Sequence, residues 1–193
     1  MINKLLLQEG QKQVLYAAIF TIVTFLFICN FLGWIALFVT IALAYIYRNK
    51  NKPSVIVSDV VSPCSGKVTA IDITNDKKII YIDVSLCDMH ILRAPISASF
   101  KISENRKGLN LDSDSFRATK LNQRVTLDFD NIEISLLSGR CNLKTSILEE
   151  QELLKGDKLG VFTAGKIKVT LDKNNVIKVK IGQKIQAGVT PLA

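Results

Sequence analysis

The chain has 193 residues, 48% of them hydrophobic and 22% charged, with a formal net charge of +8. Those proportions exclude a disordered charged tail, a collagen-like fibre and a low-complexity linker. The surplus charge divides evenly, because residues 1–53 carry Lys4, Lys12, Arg48, Lys50 and Lys52 against Glu9 alone, and residues 54–193 carry 20 Lys/Arg against 16 Asp/Glu.

No charged side chain occurs from Gln13 to Tyr47. As continuous helix this run would extend roughly 52 Å, too long for one bilayer span of about 30 Å and short for two. Asn30 and Gly33 punctuate its middle, so the pattern predicts a transmembrane helical hairpin over about 14–47, turning at 30–33. Basic residues on both flanks place both ends, and the domain that follows, on the cytoplasmic side of the inner membrane. A single tilted span is the alternative. Ala42-Leu43-Ala44 mimics a signal-peptide cleavage site, but the apolar run before it is far too long for one.

Residues 1–53 thus read as membrane anchor and linker, and residues 54–193 as one domain large enough to bury a core. Within it, β-branched or alternating segments at 55–61, 67–73, 78–84, 125–129, 133–137, 166–171 and 176–181 alternate with turn pairs such as Ser65-Gly66, Asp130-Asn131 and Asn174-Asn175. Only 147–154 has a helical look. The expected fold class is mainly β: the transmembrane hairpin followed by an antiparallel β sandwich or barrel-like domain. The Gly182 to Gly188 stretch is similar to the hammerhead turns of biotinyl- and lipoyl-carrier domains, which keeps an adaptor module open as an alternative. The Met-Lys or Asp-Lys-Ala turn that such carriers modify is absent.

Cys29, Cys64, Cys87 and Cys141 are widely spaced, and His90 is the only histidine. No metal site is expected from that pattern, and the thiols read as reduced and buried. The charge of the domain is mild and lacks a basic stripe with interleaved aromatics, so no nucleic acid is expected as partner. A protein partner or a homo-oligomer stays open.

The chemistry concentrates around Asp88-Met89-His90-Ile91-Leu92-Arg93-Ala94-Pro95, where a carboxylate, an imidazole and a guanidinium fall within six positions. Such a cluster can bind an anionic headgroup and move a proton. The run resembles the D-x-H-x-x-R-x-P signature of the short phosphatidylserine decarboxylases. Further stretches are similar to that family in order and spacing: Tyr47-Arg48-Asn49 before a proline-containing linker, Ser62-Pro63-Cys64-Ser65-Gly66-Lys67-Val68, Asn122-Gln123-Arg124, and Gly156-Asp157-Lys158-Leu159-Gly160.

The resemblance implies a membrane-associated carboxy-lyase acting on phosphatidylserine, with a membrane phospholipid as partner. Its cofactor would be a pyruvoyl group made when an internal serine, activated by an Asp-His-Ser set, cleaves the bond before it. On this chain His90 is the retained histidine and Asp88 its motif neighbour. Ser65 replaces the aspartate and Lys166 stands where the serine is due. Arg93, Arg124 and Arg140 are headgroup candidates.

After Ser146 the chain holds neither serine nor cysteine, and Thr163 is the hydroxyl nearest the Gly165-Lys166 junction. No cofactor is therefore expected, and the function read from the sequence is a degenerate relative in phospholipid metabolism. The alternatives are an active decarboxylase working by an unusual route and a non-catalytic lipid-binding or adaptor protein. A lysine amine at position 166 could in principle form a Schiff base, but the plain reading is a solvated strand residue in phase with Lys168.

Overall fold

The structure is a computed structural model describing residues 8–27, 30–48 and 58–193. Contacts divide the chain into two compact units, 1–51 and 52–193. In the first, α1 (Gln8–Phe27) and α2 (Asn30–Ile46) pack side by side. The Thr21 and Thr40 hydroxyls meet at 2.9 Å and the Phe25 and Trp34 rings meet edge to face at 5.8 Å, so the two helices run antiparallel.

This pair corrects the expected transmembrane hairpin: among the described residues no helix is long and apolar enough to cross a membrane. The physical reason is length. The first helix has 20 residues, but its sequence opens with Gln8, Glu9, Gln11 and Lys12. The second has 17, about 25 Å of rise against the roughly 30 Å of a bilayer core. The turn expected at 30–33 is also displaced, because Asn30 begins α2 and Gly33 lies inside it. Gly33 is there for close approach, since a Cβ would stand 2.6 Å from the Phe25 ring. Residues 28–29 and the linker at 49–54 lie outside the described residues.

The second unit is built on a seven-stranded antiparallel sheet. Its members are β1 (Gly66–Ile73), β2 (Lys77–Val84), β5 (Lys101–Arg106), β6 (Arg124–Phe129), β7 (Ile132–Ser138), β11 (Gly165–Asp172) and β12 (Lys184–Ile185), in the order β12-β1-β2-β11-β7-β6-β5. A three-stranded sheet sets β10 (Lys158–Phe162) between β3 (Ile91–Arg93) and β8 (Thr145–Ile147), and β4 (Ala98–Ser99) pairs with β9 (Glu152–Leu153). One short helix, α3 (Ala118–Leu121), precedes β6.

Alternation sends one face of each long strand inward. Val68, Ile82, Ile167, Leu136 and Val125 join Leu92, Leu159 and Phe162 of the smaller sheet in one buried cluster, and Phe100 stacks on Phe129 at 5.4 Å. The segment 147–154, expected as helix, is extended instead and supplies the end of β8 and all of β9. An eight-residue helix nucleates poorly, while pairing with β10 and β4 satisfies the same backbone groups. The segment 176–181 forms no strand and is held by single bonds such as Lys178 N–H to the Leu192 carbonyl, 2.9 Å. The start of the 55–61 segment lies outside the described residues, and Val61 makes an isolated bridge to Pro191.

Candidate functional site

Register places Lys67, Asp83, Lys166, Leu137 and Arg124 directly opposite one another across β1, β2, β11, β7 and β6. Opposed residues share a face, and this row lies on the outer face, away from the buried cluster. The Lys166 ammonium is ion-paired with Asp114, which arrives from the segment between β5 and β6. Asp83 has its carboxyl pushed above the usual range by desolvation, with the charge of Lys166 working against that rise.

Gly165 begins β11 at φ +139°, and a Cβ there would stand 2.2 Å from the Leu137 carbonyl oxygen and 2.6 Å from Gly139 N. Glycine is required by both conformation and space. Around it opens a cavity of about 410 Å³, lined by Asp83, Ser85, Leu86, Asp112, Ser113, Arg140, Cys141 and Gly165 among others. A groove of about 560 Å³ follows along the outer face, lined by Tyr81, Glu104, Ser113, Arg124, Glu133, Lys166 and Lys168. Ser113 borders both.

His90 is buried, and its Nε2 donates to the Leu86 carbonyl at 3.0 Å. Since Leu86 lines the Gly165 cavity, the imidazole lies one residue behind its wall. The His90 carbonyl accepts the Phe162 N–H at 2.9 Å, which fixes the His90 backbone to the end of β10, three residues before Gly165. Asp88 accepts the Ser85 N–H at 2.9 Å and so closes the turn before His90. Ser65 is buried and its Oγ accepts the Ala187 N–H at 3.0 Å, a bond that fastens the C-terminal segment. The neighbouring Cys64 thiol is buried, and desolvation pushes its pKa far up, so it is inert as a nucleophile.

The three arginines are not gathered on one surface. Arg93 is buried, with Nη1 donating to the Gly156 carbonyl at 2.8 Å, and burial lowers its pKa. Arg124 lines the groove and donates to the Thr119 carbonyl at 2.9 Å. Arg140 borders the Gly165 cavity and meets Asp112 at 3.6 Å.

Two residues carry more of the site than their sequence positions announced. Asn122 is fully buried. Its amide donates to the carbonyls of Leu111 (2.8 Å) and Ser138 (2.6 Å), and its oxygen accepts the Leu111 N–H (2.9 Å). It therefore ties the segment bearing Asp112 and Asp114 to the end of β7, opposite Gly165. Its place in an Asn-Gln-Arg motif was a signal, but the motif does not say what the amide would hold. Thr163 is equally buried: its Oγ1 donates to Asn142 Oδ1 (2.7 Å) and accepts the N–H groups of Leu143 (2.7 Å) and Lys144 (3.0 Å). That hydroxyl is fully committed to the loop before β8. Among the described residues no group of three or more His, Cys, Asp or Glu side chains could hold a metal ion.

The family model described as phosphatidylserine decarboxylase matches residues 39–193. The chain is similar to the phosphatidylserine decarboxylase proenzyme of Pelagibacter ubique, at 28% identity over 96% of this chain and 94% of that one. It is also similar to the proenzymes of Ehrlichia chaffeensis (23% identity) and Anaplasma phagocytophilum (26%), each over 96% of this chain and 89% of theirs. No solved structure matches it. The chain belongs to the phosphatidylserine decarboxylase family.

Proposed function

We propose that this member of the phosphatidylserine decarboxylase family is a non-catalytic relative that binds phospholipid headgroups without forming a pyruvoyl group. One observation carries the reading: the residue after Gly165 is Lys166, and its side chain is held in an ion pair by Asp114. In the family the cofactor is made from a serine at this junction, whose hydroxyl attacks the peptide bond before it and leaves with the upstream chain on elimination. Here the nearest hydroxyl, Thr163, precedes the glycine and has its bonding capacity filled by Asn142, Leu143 and Lys144. The residues present do not fit the cofactor. Nor does the lysine replace it, because an ammonium in an ion pair has no lone pair to offer a carbonyl.

Binding is supported by the groove beside it. Lys166, Lys168, Arg124, Glu104 and Glu133 line a groove of about 560 Å³, and Lys168 stands 3.9 Å from Glu133. A serine headgroup carries a phosphate, a carboxylate and an ammonium, and this mixture of charges offers a partner to each. The reading puts the chain at the cytoplasmic face of a membrane. Its support is the basic flanks of the apolar run and the exposed Tyr16, Phe20, Phe31 and Phe38 of α1 and α2.

The test is the intact mass of the purified chain together with release of carbon dioxide from carboxyl-labelled phosphatidylserine. A single uncut species of 21.4 kDa, inert toward the lipid, is expected. A C-terminal fragment with a blocked amino terminus, or labelled gas, would overturn the reading.

A further inference from the structure

Between β5 and β6 the chain leaves the sheet for residues 107–123, closing on itself where Leu109 bridges Asn122. The charged side chains of this excursion divide by direction. Asp112 and Asp114 pair with Arg140 and Lys166 at the site. At its base, Arg106 and Arg124 donate to the Thr119 carbonyl at 3.0 and 2.9 Å. Lys107, Arg117 and Lys120 are left exposed, and none of them meets a carboxylate among the described residues.

Beside those cations stand apolar side chains that the fold leaves uncovered. Phe116 is 83% exposed, the highest value of any large hydrophobic residue described, and Leu109 and Leu121 are 55% and 47% exposed. The Lys120 ammonium lies 5.8 Å from the centre of the Phe116 ring. An aromatic ring kept in water forgoes most of its transfer free energy. An exposed ring beside the Lys120 ammonium, on a loop that also exposes two leucines and two further cations while Asp112 and Asp114 are paired at the site, has the make-up of an interfacial anchor on an anionic bilayer.

We propose that residues 107–121 form a membrane-docking loop: Phe116, Leu109 and Leu121 enter the acyl boundary while Lys107, Arg117 and Lys120 meet anionic headgroups. An acidic protein partner is the competing occupant, and an indole at position 116 that stays in water on anionic vesicles would favour it. Docking this loop would bring the Gly165 cavity and the groove to headgroup level, because Asp112 and Asp114 link the loop to both. The inference uses residues other than the cationic set of the groove, so either can fail alone.

The test uses the full chain carrying Trp34→Phe and Phe116→Trp, which makes position 116 the only indole. It is mixed with phosphatidylcholine vesicles containing or lacking phosphatidylglycerol, a lipid without the serine headgroup. On the anionic vesicles the emission is expected to shift to the blue, to be quenched by brominated acyl chains and to recover in high salt. Arg117→Gln with Lys120→Gln is expected to raise the lipid concentration for half-maximal quenching about tenfold. An indole that stays in water while the chain sediments with the vesicles overturns the proposal. So does equal insertion into neutral vesicles, or failure to sediment with the anionic ones.

Discussion

The two faces of the seven-stranded sheet are made by the same strands and carry different side chains. On the inner face Val68, Ile82, Ile167, Leu136 and Val125 form an uninterrupted apolar layer. On the outer face the row one residue away holds Lys67, Asp83, Lys166, Leu137 and Arg124, a mixture with no packing logic of its own. Packing tolerates little change of volume or polarity, whereas a solvated row tolerates most substitutions. Gly165 and Asn122, at the edge of this row, are fixed by sterics and by hydrogen bonding. Ser65 and Lys166 each make a structural bond, to the Ala187 N–H and to Asp114.

The contrast can be broken most severely at its edge. Gly165→Ala drives a methyl into the Leu137 carbonyl oxygen at a backbone angle that L-residues avoid. A loss of about 4 kcal/mol or more is expected by urea unfolding, and a loss below about 1 kcal/mol would show that the junction can relax. On the inner face, Ile167→Ala empties a fully buried site and is expected to cost about 3 kcal/mol in the same measurement. One residue away, Lys166→Ala removes an ion pair whose side chains are 30% and 77% exposed. Its expected cost is below about 1 kcal/mol. Equal losses at 166 and 167 would erase the distinction between the faces.

The finest probe is Asp83→Asn. Desolvation raises the carboxyl pKa in the folded state, so the folded protein binds the proton more tightly than the unfolded chain does. Stability therefore falls as pH rises from the unfolded carboxylate value of about 3.9 through the higher folded value, and stays lowered above it. The amide removes that penalty. At neutral pH the variant is expected to melt about 2 °C higher or less, because Asp83 is exposed. Below the unfolded carboxylate value the gain should vanish. A gain that grows on acidification would reverse the sign of the argument.

Much of the large sheet was legible because β1, β2, β6, β7 and β11 alternate and end in turn residues. Other strands carried no such signal. In β10 four consecutive residues are buried, so nothing alternates, and β5 is an edge strand whose only large apolar residue is Ile102. The 147–154 segment was misread as helix because Leu148, Glu149, Glu150 and Leu153 favour helices locally, a preference that the β10 and β4 pairings override. The apolar run was legible as two helices and not in its relation to a bilayer, because hydropathy alone did not show where each helix would begin and end. At the site, the residue types at 65 and 166 could be read directly. The bonds made by Asn122 and Thr163 could not, because each partner lies 11 to 21 residues away and is brought close only by folding.

β11 is paired without a bulge to β2 over eight residues and to β7 over six. A strand gripped on both sides would stay in place even if its backbone were severed just upstream. Chromatography under native conditions would return cut and uncut chains in the same peak, with the same radius and the same spectrum. Only a denatured sample can tell them apart, so the history of this junction must be read after the sheet has been taken apart.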